Sequence, residues 1–262
     1  MNNSRQKKKE TIVFIGAGNV ATNLAVELHK RHYTIVQIYS RTEAAAKTLA
    51  AQVNATSTTC LETVYREAEL YIFSLKDSAL LDVLAAFPPC VGMYIHTAGS
   101  MPAAVFSPYT DNYGVLYPLQ TFTKSRLADF STIPICLEAS GNEQLMSLNK
   151  LAKSLSNRVI SVNSDKRKYL HLAAVFACNF VNRLYDISAE ILHENDLPFD
   201  LLLPLIRETS DKVQTTSPFE AQTGPAVRFD VNVMEKQLKL LQHKNFKEIY
   251  NLLSHDIHNR HK

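Results

Sequence analysis

The sequence predicts an α/β Rossmann fold, a doubly wound and mostly parallel sheet, followed by an all-α C-terminal domain. Three observations predict it. Short apolar runs alternate with helical patterns from Thr11 to Val162. A Gly-x-Gly-x-x-Ala turn at residues 16–21 joins the first run to the first helix. Strand-like runs vanish after Asn163.

In chain order the predicted strands are 11–15, 34–39, 70–75, 93–96, 114–117, 133–137 and 158–162. Helical patterns stand between them at 20–30, 42–52, 61–67, 78–87 and 143–154, several introduced by Ser, Thr, Asp or Asn. Crossovers of this length force parallel pairing. Four helical stretches follow, near 166–193, 200–212, 230–243 and 246–256. The first would run for roughly 40 Å at 1.5 Å per residue, longer than a small helical domain needs for its own core. That extra apolar length predicts a homodimer packed through this helix and its neighbours. The expected division is a basic tail at 1–10, a nucleotide-binding domain at 11–162, and a helical substrate and dimerisation domain at 163–262.

Composition narrows the function. With 46% hydrophobic and 20% charged residues among 262, the chain has the balance of a globular protein. No apolar run approaches the roughly 20 residues that span a bilayer, so no membrane partner is expected. A net charge of +3, without basic stripes interleaved with aromatics, argues against nucleic acid. Arg5 and Lys7 to Lys9 read as a solvated tail, since no signal-type apolar region follows them. Cys60, Cys90, Cys136 and Cys178 contain no close pair for a zinc or redox motif, which suits reduced thiols in a cytoplasmic protein. His255, His258 and His261 repeat at a spacing that could chelate a metal on a helix, but a frayed terminus is the expected reading, and no metal is expected. G-x-S-x-G, H-E-x-x-H and P-loop patterns are absent.

The turn after the first strand carries the cofactor reading. Gly16 makes the tight bend, Gly18 lets backbone approach a pyrophosphate with no Cβ in the way, and Ala21 lets the helix pack close to the strand. Ala17, Asn19 and Val20 complete the loop and offer backbone N–H groups at the positive end of a helix. The second strand then selects the dinucleotide. NAD-binding folds usually end it with a carboxylate for the ribose 2′-OH, whereas here it ends Tyr39-Ser40-Arg41-Thr42. A guanidinium and two hydroxyls stand where a 2′-phosphate would sit, and the expected cofactor is NADP(H).

Ligands meet an open parallel sheet at the carboxyl ends of its strands. Ser74, Leu75 and Lys76 end one strand and are expected to border the cofactor; His96, Thr97, Gly99 and Ser100 follow another, near the expected nicotinamide. His96 reads equally as a proton carrier or as a structural histidine. On the long helix, a step of 100° per residue from His171 places Lys168, Asn179, Asn182 and Asp186 within an arc of about 80°. Lys168 and Asn179 are too far apart for one small substrate, so His171 with Asn179, or one of them, is the expected contact; a water-filled subunit seam is the alternative. The loop from Gln222 to Asp230 reads as a Gly-Pro turn and helix cap, with Arg228 as a secondary candidate for an anion.

On the segments Gly16 to Ala21, His96 to Ser100, Pro118 to Phe122, His171 to Phe180 and Thr223 to Asp230, the chain resembles a family of NADP oxidoreductases. That family joins a Rossmann domain, like that of deazaflavin-dependent NADP oxidoreductases and pyrroline-5-carboxylate reductases, to a helical domain of unknown function. The architecture is also similar to 6-phosphogluconate and β-hydroxyacid dehydrogenases, whose long helix carries a Lys four residues before an Asn. Here Lys168 is followed at that spacing by Leu172, and His171 by Val175, so that mechanism does not transfer. Relatives commonly place His before the Pro118 segment. Tyr117 stands there in this chain, and no proton donor is assigned to it.

The resemblance and the residues together imply an NADP-dependent oxidoreductase moving a hydride to or from a C=O or C=N carbon of a small metabolite. His171 or His96 would be the proton donor, and Thr97, Ser100 and Asn179 would orient the substrate. A non-catalytic NADP(H) sensor or scaffold is the alternative, and deazaflavin-linked reduction a third reading.

Overall fold

A computed structural model of the chain describes residues 10–262, so the basic tail read from the sequence lies, apart from Glu10, outside the described residues. The described chain divides into two compact units on either side of the Ala177–Cys178 bond.

The first unit is built on one eight-stranded sheet. Its strands are β1 (Thr11–Ile15), β2 (Thr34–Tyr39), β3 (Thr56–Thr58), β4 (Leu70–Phe73), β5 (Met93–His96), β6 (Tyr113–Pro118), β7 (Ile135–Ala139) and β8 (Val159–Ser161), in the spatial order β3-β2-β1-β4-β5-β6-β7-β8. Every neighbouring pair is parallel except β6 with β7. That exception falls where no crossover helix intervenes, only a loop with a single short turn at Phe130–Thr132. The helices are α1 (Asn19–Lys30), α2 (Glu43–Gln52), α3 (Asp77–Ala86), α4 (Asn142–Leu155) and α5 (Ser164–Ala174).

Period-two alternation along β1 feeds two cores. Ile12 and Phe14 join Leu24, Leu28, Ile72 and Ile95 on one face, while Val13 and Ile15 join Tyr71, Phe73, Leu84 and Tyr94 on the other. The second face is rich in edge-to-face aromatic pairs, such as Tyr71 with Tyr94 at 5.7 Å and Phe73 with Phe87 at 5.0 Å.

Two sequence expectations are corrected here. The predicted helix at 61–67 is a single turn, Leu61–Thr63. Side-chain bonds hold the segment instead: Gln37 donates to the Thr63 carbonyl at 3.2 Å and accepts from the Tyr65 N–H at 2.7 Å, and Tyr71 donates to the Tyr65 carbonyl at 3.0 Å. The long helix is continuous in the chain but not uniform, because a π-helical segment, Val175–Phe180, separates α5 from α6 (Val181–His193). Its i→i+5 bonding adds a residue to the turn, so the 100° step that aligned Asn179, Asn182 and Asp186 with His171 fails beyond Val175.

The second unit holds the end of that segment with α6, α7 (Leu203–Thr215), α8 (Val231–Leu240) and α9 (Lys244–His261). Asp230 caps α8, accepting from the Val233 N–H at 3.2 Å. Of its apolar side chains, those buried below a tenth of their surface are Ile187, Ala226, Met234 and Phe246. The frayed terminus expected at residues 255–261 is also corrected: α9 runs to His261 and ring stacking holds it, with His258 on Phe229 at a centroid distance of 4.0 Å and His261 on Phe219 at 4.3 Å. Among the described residues no group of three or more His, Cys, Asp or Glu side chains could hold a metal, and no helix is long and apolar enough to cross a membrane.

Candidate active site

Four adjacent parallel strands, β1, β4, β5 and β6, end at the same edge of the sheet; Gly16 to Val20 follow β1, Ser74 to Lys76 follow β4, His96 and Thr97 stand at the end of β5, and Ser40 to Thr42 follow the neighbouring β2. Gly16 sits at φ +121°, a conformation L side chains rarely adopt, and any Cβ on it would collide with the Ser74 backbone. Gly18 differs in kind. A Cβ there would meet nothing within 4 Å, so the turn opens onto free space beside the exposed Gly18 and Asn19. No side chain caps α1, and its first turn carries no acid, which leaves its N–H groups and positive dipole end available to an anion.

The edge beside β2 suits a second phosphate. Arg41 and Thr42 are exposed, and Ser40 is half-buried with its Oγ accepting from the Thr42 N–H at 3.3 Å. Arg41 lies beside Tyr39, where its charge opposes the upward push of burial on the phenol pKa. The first carboxylate beyond it, Glu43, is taken by Lys47 at 2.6 Å. Arg41 itself has no ion pair among the described residues. An open glycine turn, an uncapped helix and an unneutralised guanidinium fit a dinucleotide with an additional phosphate.

Further along, Ser74 and Thr97 hydroxyls bond each other at 3.1 Å, with Leu75 packed beneath Gly16 and Lys76 exposed. Ser100 donates to Asp77, an acid the sequence reading did not single out.

The two candidate histidines occupy opposite environments. His96 has no exposed surface; its Nδ1 accepts from the Ala98 N–H at 3.2 Å, which leaves Nε2 as the protonated nitrogen, donating to the Pro102 carbonyl at 3.3 Å. Burial, helped by the charge of Arg167, holds its pKa down at about 4. It is a neutral ring tied to backbone. His171, on α5, is half-buried, and its Nδ1 lies 3.0 Å from the hydroxyl of Tyr117 at the end of β6. Gly99 makes room for it: a Cβ on Gly99 would stand 2.7 Å from His171 Cγ and Nδ1. The close approach that Gly99 permits is therefore to an imidazole of its own chain. Lys168 is exposed and paired with Asp165 at 2.8 Å, and Asn179 is exposed in the π-helical segment of the second unit.

The sequence reading missed what fixes α5. Arg167 is wholly buried; it pairs with Glu138 of β7, donates to the Met101 carbonyl at 2.6 Å and to Ser164 Oγ at 3.2 Å. Ser164 in turn donates to Glu138 at 2.7 Å and accepts from the Ala103 N–H at 3.0 Å. A lone Arg amid Lys166 and Lys168 gives no signal of burial. Asn23 was also missed: it donates to the Asn19 and Thr123 carbonyls, each at 2.9 Å, and accepts from the Ala128 N–H at 2.9 Å, lacing the loop after β6 onto the phosphate-facing helix.

This arrangement is a Rossmann-type domain with polar side chains along the strand-end edge of its sheet. A family model described as NADP oxidoreductase, coenzyme F420-dependent, matches residues 11–90, and one described as a domain of unknown function, DUF2520, matches residues 133–257. The crystal structure of a candidate NADP oxidoreductase from Bacteroides fragilis is 47% identical with a TM-score of 0.91, over 96% of this chain and 99% of that one. The chain belongs to this family of NADP oxidoreductases. More distant structures share the fold. A reductive aminase from Aspergillus terreus, in complex with NADPH and ethyl-5-oxohexanoate, is 14% identical with a TM-score of 0.69, over 96% of this chain and 93% of that one. A pyrroline-5-carboxylate reductase from Coxiella burnetii is 14% identical with a TM-score of 0.56, over 97% of each chain. A comparison with curated proteins finds no match.

Proposed function

We propose that the chain is an NADP(H)-dependent oxidoreductase that reduces, or forms by oxidation, a C=O or C=N bond in a small metabolite. The observation that carries the reading is the continuity of the strand-end edge, from the open Gly18 turn through Ser74 and Thr97 to the His171–Tyr117 pair. NADPH, when bound, supplies the hydride. Gly16 to Val20 would hold its pyrophosphate, Ser40, Arg41 and Thr42 its 2′-phosphate, and Ser74, Leu75, Lys76 and Thr97 would border its nicotinamide half. His171 would hold the proton that the reduced oxygen or nitrogen needs; His96, tied to backbone at both nitrogens, suits a structural role. The names of the structural relatives, a reductive aminase and a pyrroline-5-carboxylate reductase, support the carbonyl or imine class. Against the sensor alternative stands the bonding of His171, which engages a side chain at the ligand edge and not the backbone.

Asn179 is kept in this reading as an orienting residue of the helical region, residues 163–262, to which we also assign dimerisation. Leu201, Leu205, Leu240 and Leu252 are each more than 60% exposed in the second unit, an apolar surface that a second copy would cover. The test of activity is NADPH oxidation against panels of ketones and aldehydes, with and without an amine, using Gly18→Asp as the binding-dead control. Turnover lost in Gly18→Asp supports the proposal; turnover indifferent to it refutes the proposal.

A further inference from the structure

We infer that Tyr117 is a positioning residue that commits one nitrogen of His171, so that Nε2 alone exchanges a proton with a ligand. The inference rests on the proposal that His171 handles the proton, and deepens it.

Three elements confine the imidazole. Tyr117 is itself fixed: it is buried near the end of β6, paired in register with Cys136 of β7 and followed by Pro118. Its hydroxyl lies 3.0 Å from Nδ1, and the two rings meet nearly edge to face, with centroids 6.0 Å apart at 74°. Gly99 closes a second side, because its backbone leaves no space for even a methyl group against Cγ, Nδ1 and Cβ of His171. The third is α5. Arg167 lies one turn before His171, on the same side of the helix, and its bonds to Glu138 and the Met101 carbonyl fix that turn to β7 and to the loop that carries Gly99. A ring held in this way cannot exchange its two nitrogens by flipping.

The proton balance follows. The imidazolium carries hydrogen on both nitrogens. It releases the Nε2 hydrogen to the oxygen or nitrogen of the substrate, the N–H bonding pair becoming the Nε2 lone pair, and keeps the Nδ1 hydrogen directed at the Tyr117 oxygen. Nε2 then recovers a proton from water. The hydrogen bond made by one nitrogen thus decides which nitrogen reacts. Neither His nor Tyr is unusual in this role alone; the finding is that residues 54 positions apart are bonded at the ligand edge.

The test is to titrate the His171 ring by 15N-edited NMR in the full chain, assigned by its loss in His171→Gln, for the wild type, Tyr117→Phe and Gly99→Ala. The inference expects one dominant ring state in the wild type. In Tyr117→Phe it expects a shift of the titration midpoint by about half a pH unit or more, with both neutral tautomers visible. Gly99→Ala keeps the phenol but displaces the ring, and should show the same loss of a single state; it also covers the case in which Tyr117→Phe does not fold. An unchanged His171 titration and tautomer in either folded variant overturns the inference. Rates with NADPH, cyclohexanone and methylamine separate this from the parent reading. Tyr117→Phe should lower kcat by about tenfold with little change in KM and shift its pH profile. His171→Gln with an undiminished rate would sink the parent reading while leaving the ring titration intact as evidence for the pair.

Discussion

Gly16 and Ser74 meet so closely that a Cβ on Gly16 would overlap the Ser74 carbonyl, lying 3.0 Å from its carbon. The contact locks the cofactor turn of β1 to the end of β4. Gly18, two residues on, faces open space. The two glycines of the motif therefore serve different ends, one folding and the other access.

Substitution separates them. Gly16→Ala, strained at φ +121° as well as crowded, should lose about 2 kcal/mol of stability in urea unfolding. Gly18→Ala should unfold within about 0.5 kcal/mol of the wild type, yet weaken NADPH by about tenfold in a fluorescence titration. Equal stability losses in the two variants would contradict this division.

Arg167 and Glu138 form an ion pair whose guanidinium is buried. Arg167→Ala strands the carboxylate and vacates a filled site, and should cost about 3 kcal/mol. Arg167→Met with Glu138→Leu removes both charges and should recover at least half of that loss. A chemical denaturation series on the three proteins checks it.

His96 makes stability depend on pH. Its folded pKa of about 4 lies below the ordinary histidine value, so the folded state binds fewer protons than the unfolded chain between these pH values. Its contribution is present above about pH 6.5, is lost as pH falls, and levels off near pH 4, amounting to roughly 3 kcal/mol. Unfolding free energies from pH 7.5 to 4 should fall less steeply in His96→Gln than in the wild type. Parallel slopes would show that His96 is not held neutral by the fold.

Dimerisation is checked by light scattering at micromolar concentration. Two copies of the 29.4 kDa chain are expected in the scattering particle, and Leu201→Asp with Leu205→Asp should shift it toward one. A wild-type particle of one chain would remove the dimer from the account.

Much of this architecture was legible because it rests on local pattern. The strand bounds of β1, β2 and β5 follow from short apolar runs, as expected of strands covered on both faces of the sheet, and the glycine turn announces itself at a single place in the chain. The polar edge strand β3, three residues of Thr and Ser, carries no hydrophobic signal and was missed. The segment at 61–67 has a helical pattern, but Gln37 and Tyr71 capture its backbone from a distance. At the strand ends, position alone picks out Arg41 and Gly18 as candidates, and both are exposed. The Tyr117–His171 bond was not, since it depends on how α5 lies against β6. Arg167 was invisible for the same reason: its burial is decided by Glu138, 29 residues earlier. The π-helical segment, too, has no counterpart in a 3.6-residue period.

The central claim is that Arg41 makes the open turn an NADP site. Calorimetric titration of NADPH and NADH into the wild type and Arg41→Ala tests it most directly. The account predicts that the wild type favours NADPH, that Arg41→Ala weakens NADPH by about 10- to 100-fold as a charge-assisted contact is lost, and that NADH binding stays the same. Equal affinity of the wild type for the two cofactors, or full NADPH affinity in Arg41→Ala, would contradict it.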